Sequence, residues 1–283
     1  MLLYGSGKEG LPNMNLLELS EFWCNGRMNS TYMRRKSYSP DFWNHHWQRE
    51  RPRMEERNHW IISNLELESI GRTAADIGCG NGDIALELAR QGLDVTALDS
   101  SEVAVSILET RAVEAGIRVQ VFCQDWLTAQ AEKFGAPWDL GLTAYTLGTV
   151  NPLPYLNKLL NSAEKVVIIE PAGYRHWQHP EFWPLLDGTP FDPGPDYDVI
   201  VDILKAMGMK PEVCLGEYTV YRDFTDNEEG INWLLAQTGV KDDSGSQAAR
   251  VYLDDRLVRV DGGVRLKQTQ HIAMLTINGK KYS

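Results

Sequence analysis

Cysteine is scarce in this chain. Only Cys24, Cys79, Cys123 and Cys214 occur among 283 residues, and no two of them form a C-x-x-C pair. That spacing excludes a thiol-built zinc cluster or a disulfide framework and suits ordinary thiols in a reducing compartment. Long apolar runs are missing as well. No stretch approaches the roughly 18–20 residues that cross a bilayer, and no basic segment with a long apolar core behind it opens the chain. A cytoplasmic protein is therefore expected. Positive charge is the third deficit: 28 Lys and Arg stand against 39 Asp and Glu, a net charge of −11. Such a surface repels a phosphate backbone, which disfavours nucleic acid as a partner.

What the chain does have is 43% hydrophobic residues, enough for one substantial core. Its most informative stretch is Thr-Ala-Ala-Asp-Ile-Gly-Cys-Gly-Asn-Gly at 73–82. An apolar strand runs into Asp76, and Gly78, Gly80 and Gly82 follow at alternate positions. Glycines so placed let the backbone turn tightly and bring its N–H groups near a ligand, while the helix opening near Asn81 presents its positive end to negative charge. A helix over Asp83–Gln91 and a strand over Leu93–Leu98, closed by Asp99, complete a βαβ unit with an acid at the second strand's tip. The dinucleotide fingerprint G-x-G-x-x-G sets its third glycine one residue later and needs no leading carboxylate.

The D-x-G-x-G-x-G loop with a second acidic strand end resembles the S-adenosylmethionine site of class I methyltransferases. The resemblance implies a Rossmann-like α/β fold, a seven-stranded mostly parallel sheet with helices on both faces and the last strand antiparallel. It also implies the cofactor S-adenosyl-L-methionine, with S-adenosyl-L-homocysteine as product. The backbone of Gly78, Cys79, Gly80, Asn81 and Gly82 is then expected to approach the methionine and ribose portions, with Asp76 beneath the loop near the cofactor's amino group. Asp99 and Ser100 fall at the ribose, where a carboxylate suits a cis-diol. Asp125 and Trp126, after the third strand, match the adenine site. Ala144 and Tyr145 occupy the place where this fold brings the donor methyl to the acceptor. Tyr145, His176 and His179 are the candidate catalytic residues, the histidines because imidazole titrates near working pH. His176 and His179 share a His-x-x-His spacing, but no third ligand accompanies them, and no metal is expected.

Around the glycine unit, helices are expected over Leu16–Trp23, over Asp41–Leu65 with a bend near Pro52, and over Glu102–Ala115, Tyr155–Ala163 and Asp198–Met207. Strands are expected over Arg118–Cys123, Asp139–Ala144, Val166–Ile169, Glu212–Val220 and Gln270–Ile277. Strands alternating with helices make a parallel, helix-covered sheet the economical architecture. Residues 1–65 read as an N-terminal helical segment or cap, its first dozen residues as disordered. Residues 66–283 read as the cofactor-binding domain, with insertions at about 174–197 and 225–268, the second holding helices over Asn227–Gln237 and Gln247–Val258. The charged run Arg49–Arg57 reads as a solvated helix face, and Tyr32, Trp43 and Trp47 as aromatic residues that either fill core or close over the cofactor. Aromatic residues in both cap segments point to an apolar or ring-containing acceptor. The leading expectation is methyl transfer to a small molecule. Methylation of RNA or protein, aminocarboxypropyl transfer from the same cofactor, and a non-catalytic cofactor-binding scaffold stand as alternatives. Acceptor atom and oligomeric state are left open.

Overall fold

A computed structural model of the chain describes residues 14–31, 33, 42–47, 54–149, 151–173, 179–240 and 243–278, and at 42, 45 and 149 the backbone alone. The first element, α1 (Leu16–Asn29), is started by a reciprocal cap. The Asn15 side chain accepts from the Leu17 and Glu18 amides, and Glu18 reaches back to the Asn15 amide. Nothing in the next six residues breaks the helix, so it runs past the expected end at Trp23. The single bent helix expected over Asp41–Leu65 is replaced by α2 (Phe42–Trp47) and α3 (Glu55–Ser63), with residues 48–53 between them outside the described set.

The core then alternates: β1 (Thr73–Ile77), α4 (Asp83–Arg90), β2 (Asp94–Asp99), α5 (Glu102–Ala115), β3 (Gln120–Cys123), β4 (Trp138–Ala144), α6 (Pro152–Leu160) and β5 (Ala163–Pro171). Ala163 opens β5 instead of closing the preceding helix. Beyond these lie α7 (Phe182–Asp187), α8 (Tyr197–Ala206), β6 (Glu212–Phe224), α9 (Asn227–Thr238), α10 (Asp243–Asp254), β7 (Leu257–Val260) and β8 (Gly263–Asn278). Strand order is β3-β2-β1-β4-β5-β8-β6, with β7 paired to β8. The first five strands are parallel, and β8 runs antiparallel to both neighbours. This is the expected Rossmann-like α/β sheet with one strand more than the seven anticipated. The extra strand follows from a two-residue hairpin at Asp261-Gly262, with Val260 paired to Gly263. It ends α10 at Asp254, short of the expected Val258, and starts β8 before Gln270.

Both faces of the sheet are covered, which is why β1, β4 and β5 read as near-continuous apolar runs. One core packs Ile77, Leu98, Val166 and Ile168 against α1, α6 and α8, through Trp23, Leu156 and Ile200. The other packs Ala74, Ala97, Leu142 and Ile169 against α3, α4 and α5, through Ile61, Leu88 and Leu108. A third cluster joins the two late insertions: Phe182 and Trp183 of α7 meet Leu234 of α9, Tyr252 of α10 and Leu266 of β8. Its spine is the β6/β8 ribbon. Ile272 faces Pro171 at the end of β5 and Gly216 on β6, and β6 continues eight residues further to Phe224, about 26 Å past the sheet's carboxyl edge.

Candidate active site

Strand order reverses between β1 and β4, so the crevice beyond their carboxyl ends is where an open α/β sheet takes ligands. The loop leaving β1 is pinned from beneath: the Gly78 and Cys79 amides both donate to the Leu98 carbonyl, at 2.7 and 3.0 Å. Gly80 sits at φ +55°, and a Cβ there would lie 2.3 Å from Cζ2 of Trp47. A Cβ on Gly78 would lie equally close to the Thr146 methyl. These two positions tolerate glycine alone. Trp47 thus lies on the loop, and α2 is held there by Ser101 Oγ, which donates to Asn44 Oδ1 at 2.7 Å. Tyr32 falls outside the described residues, and Trp43 is partly exposed against the His46 ring.

Asp99 is the loop's second support. Its Oδ2 accepts from the Gly80 amide and its Oδ1 from the Ser101 amide, each at 2.8 Å. Burial nevertheless lifts its pKa above the ordinary carboxylate range. Asp76, at the end of β1, is buried, and its Oδ2 has no hydrogen-bond partner. Burial first, and then the Asp99 charge, push its pKa up to about 7, against the opposing pull of the Ala85 amide and Arg57. A buried carboxyl with a spare oxygen is set for a cationic or donor group arriving from the crevice.

Arg57 was not legible as a site residue. It lies in the charged run, but four residues before the wholly buried Ile61, so the two share a helix face, and that spacing was the available signal. Its Nη2 donates to Asn58 Oδ1 at 2.9 Å and meets Asp83 Oδ2 at 3.3 Å, while its guanidinium lies 5.8 Å from the Tyr145 ring centre. Arg111 holds the other Asp83 oxygen and the Asn81 carbonyl, each at 2.7 Å. Two arginines therefore clamp the first residue of α4. An open cleft of about 1220 Å³, lined by Met54, Asn58, Asp83, Glu87 and Arg111, runs along the outer side of this clamp. It is bordered by helix surfaces and lies away from the strand ends, where the chemistry-bearing groups gather.

Tyr145, just after β4, has φ +59°, a conformation that costs a non-glycine residue about 1–2 kcal/mol. Its amide donates to the Ile169 carbonyl at 2.8 Å, and its hydroxyl is 3.4 Å from that of Tyr218. Burial raises its phenol well above the usual range, and the Tyr218 and Glu170 charges act in the same direction. Beneath it, Thr143 Oγ1 donates to the Ile77 carbonyl at 3.0 Å and meets the Thr146 and Tyr155 hydroxyls at 2.5 and 2.8 Å. That network fixes the ends of β1 and β4 relative to each other. Ala144 is partly buried in the same cluster.

The remaining sequence-derived candidates separate. Asp125 is exposed after β3 and accepts from the Leu127 amide, and the neighbouring Gln124 amide donates to the Asp99 carbonyl. The Trp126 ring, by contrast, is buried among Trp138, Tyr155 and Lys158, in the core. Ser100 is exposed, and Cys79 is buried with its thiol pKa pushed well up, which makes it unreactive. His179 is buried in the outer cluster, its Nδ1 3.3 Å from the Tyr252 hydroxyl and its ring edge-on to Trp233. The structure does not bring it to the glycine loop. His176 lies outside the described residues. Among the described residues no group of three His, Cys, Asp or Glu could hold a metal ion.

Residues 74–167, a third of the chain, match the family described as Methyltransferase domain. A ubiquinone biosynthesis O-methyltransferase of Photorhabdus laumondii is 34% identical over 70 residues, 25% of this chain and 29% of that protein. The enzyme of the same name from Pectobacterium atrosepticum is 33% identical over 70 residues. The chain thus spans under a third of the length of these relatives. Among solved structures, the YcgJ protein of Bacillus subtilis shares the fold at TM-score 0.53 and 12% identity, over 80% of this chain and 99% of that one. A structure associated with converting a disulfide bond into a thioacetal group in echinomycin biosynthesis does so at TM-score 0.52 and 16% identity, over 78% and 82%. The glycine loop and the two strand-end acids lie inside the family match, so residues 74–167 are similar to a methyltransferase domain, and the chain shares the Rossmann-like fold of these structures.

Proposed function

We propose that this protein is an S-adenosylmethionine-dependent methyltransferase acting on a small molecule. The observation that carries the reading is Asp76: a buried carboxyl with an unpartnered oxygen, behind a loop whose cradle any side chain would fill. Those groups fit a cofactor with a cationic amine and a cis-diol. Gly78, Cys79, Gly80, Asn81 and Gly82 would lie against its methionyl and ribose parts. Asp76 would receive its amino group, Asp99 and Ser100 would border the ribose, and Asp125 would meet the adenine amine. The Trp126 ring, committed to the core, is dropped from that role. When bound, the cofactor supplies a methyl group on positively charged sulfur, open to in-line displacement.

The protein's share is to orient and to exclude water, where effective molarity and a dry site account for much of the acceleration. Trp47 lies over the loop, Tyr145 and Ala144 border the place of transfer, and Arg57 balances the carboxyls. The β6/β8 ribbon carries the third cluster, with its aromatic residues, past the carboxyl edge of the sheet, and a ring-containing acceptor is the class this reading favours. The relatives' names make oxygen the first acceptor atom to test. A net charge of −11 speaks against nucleic acid. Four free thiols fit the cytoplasm, and no helix of the described residues is long and apolar enough to cross a membrane.

Calorimetry with S-adenosylhomocysteine and with NAD tests the cofactor, and preference for NAD would end the reading. Transfer of labelled methyl groups into pools of small phenols and acids, run beside total RNA, tests the acceptor. Label appearing in RNA alone would overturn it.

A further inference from the structure

We propose that Arg27 anchors a carboxylate in the crevice, brought either by the methyl acceptor or by the methionyl end of the cofactor. On α1, Ser20, Trp23 and Arg27 lie at i, i+3 and i+7, one face of the helix. That face is keyed to the turn after β4. Ser20 Oγ donates to Asn151 Oδ1 at 2.9 Å, and Trp23 Nε1 donates to the Leu147 carbonyl at 2.9 Å. Arg27 lies against Gly148 in the same turn, with its Nη2 2.9 Å from where a Cβ would stand.

The first two side chains are satisfied and the third is not. Arg27 is 7% exposed, its Nε is buried with no hydrogen-bond partner among the described residues, and its guanidinium lies over the Trp23 ring, 5.3 Å from the centre. Among the described residues no carboxylate pairs with it. Buried arginines are almost always paired, because a desolvated charge without its counterion is strongly disfavoured and a ring face offsets only part of that. Arg57, a partly buried arginine on α3, already has Asp83 and Asn58.

Position and preorganisation point the same way. Thr146, two residues before Gly148, packs on Gly78 of the glycine loop, so Arg27 reaches the turn that separates the cofactor loop from the outer segments. The end of α1 is tied down there, since the Thr31 amide donates to the Asp192 carbonyl and the Asp192 amide to Thr31 Oγ1, both at 2.9 Å. A fixed guanidinium fork matches the two oxygens of a carboxylate. The inference rests on the methyltransferase reading for the two sources it names.

The test compares wild type with Arg27→Gln and Arg27→Lys, each first checked for folding by circular dichroism and thermal melting. Affinities are measured for S-adenosylhomocysteine and for methylthioadenosine, which lacks the amino acid end. Benzoate and benzamide are measured too, with and without saturating S-adenosylhomocysteine. R27Q is expected to weaken one carboxylate ligand about thirtyfold or more and to leave its uncharged counterpart unchanged. Loss on S-adenosylhomocysteine assigns the anchor to the cofactor, and loss on benzoate to the acceptor. Without ligand, R27Q is expected to melt no lower than wild type. Equal carboxylate affinities in wild type and R27Q overturn the proposal. If R27Q does not fold, R27K decides: it keeps the charge but loses the fork, so unchanged carboxylate affinities overturn the proposal equally. If wild type binds neither nucleoside, the cofactor reading fails instead, and the benzoate arm still decides Arg27.

Discussion

Replacing Asp76 by Asn removes a charge that the unliganded fold disfavours and the ligand needs, so stability and binding should move in opposite directions. The folded chain holds this proton up to about pH 7, whereas an exposed aspartate releases it near 3.8. Between those values the folded state binds more protons than the unfolded one, and wild-type stability falls as pH rises. The gap corresponds to about 4 kcal/mol once pH exceeds 7. Asn is neutral throughout, so D76N should match wild type near pH 3, below the exposed value, and exceed it by up to about 4 kcal/mol at pH 8, an upshift of up to about 8 °C in a chain of this size. Urea and thermal unfolding at half-unit pH steps read this directly. S-adenosylhomocysteine binding should weaken at the same time, because the amine loses its carboxylate, and wild-type binding near pH 7 should release a fraction of a proton, visible as a buffer-dependent calorimetric heat. A stability difference that is flat across pH, or that favours wild type at pH 8, would refute the argument.

Gly80→Ala forces a methyl into the space that Trp47 occupies, at a positive φ; a loss of about 1–3 kcal/mol and of cofactor affinity is expected by denaturation and calorimetry, and a neutral outcome would detach α2 from the loop. Asp99→Ala strands the Gly80 and Ser101 amides as well as the ribose. S-adenosylhomocysteine and methylthioadenosine should therefore both weaken by tenfold or more, as both carry the diol, and unchanged titrations would remove the ribose assignment. Thr143→Val breaks the hub joining the Ile77 carbonyl, Thr146 and Tyr155; about 1–3 kcal/mol should be lost in urea melts, with the transfer rate falling more than cofactor affinity.

The βαβ unit around the glycines was legible because its signals are local: alternate glycines, an acid before them and an acid at the next strand's tip all act within about twenty-five residues. The bounds of β1, β2, α4 and α5 accordingly fall within a residue of expectation. Long-range partners carried no such mark. Arg57 sits in a run of charges whose composition describes solvent, and only its register with Ile61 betrays the buried face. His179 follows a metal-like spacing, yet Tyr252 and Trp233, far along the chain, claim its ring. Trp126 neighbours an exposed acid but turns into the core against Trp138. The hairpin between β7 and β8 was readable in principle, since Asp261-Gly262 lies between Val258, Val260, Val264 and Leu266 at alternate positions, but helical propensity before it masked the alternation.

The ribbon of β6 and β8 serves two structures at once. Its lower half consists of staves of the central sheet, and its upper half carries α9, α10 and β7, with no linker between the halves. Any movement of the upper half against the sheet must therefore come from bending or twisting a hydrogen-bonded ladder, a stiff spring with a restoring force, rather than from a free swing at a joint. One inserted residue in β6 would turn every inward side chain of the upper half outward, so evolution can vary the chemistry of that half by substitution but scarcely by changing its length.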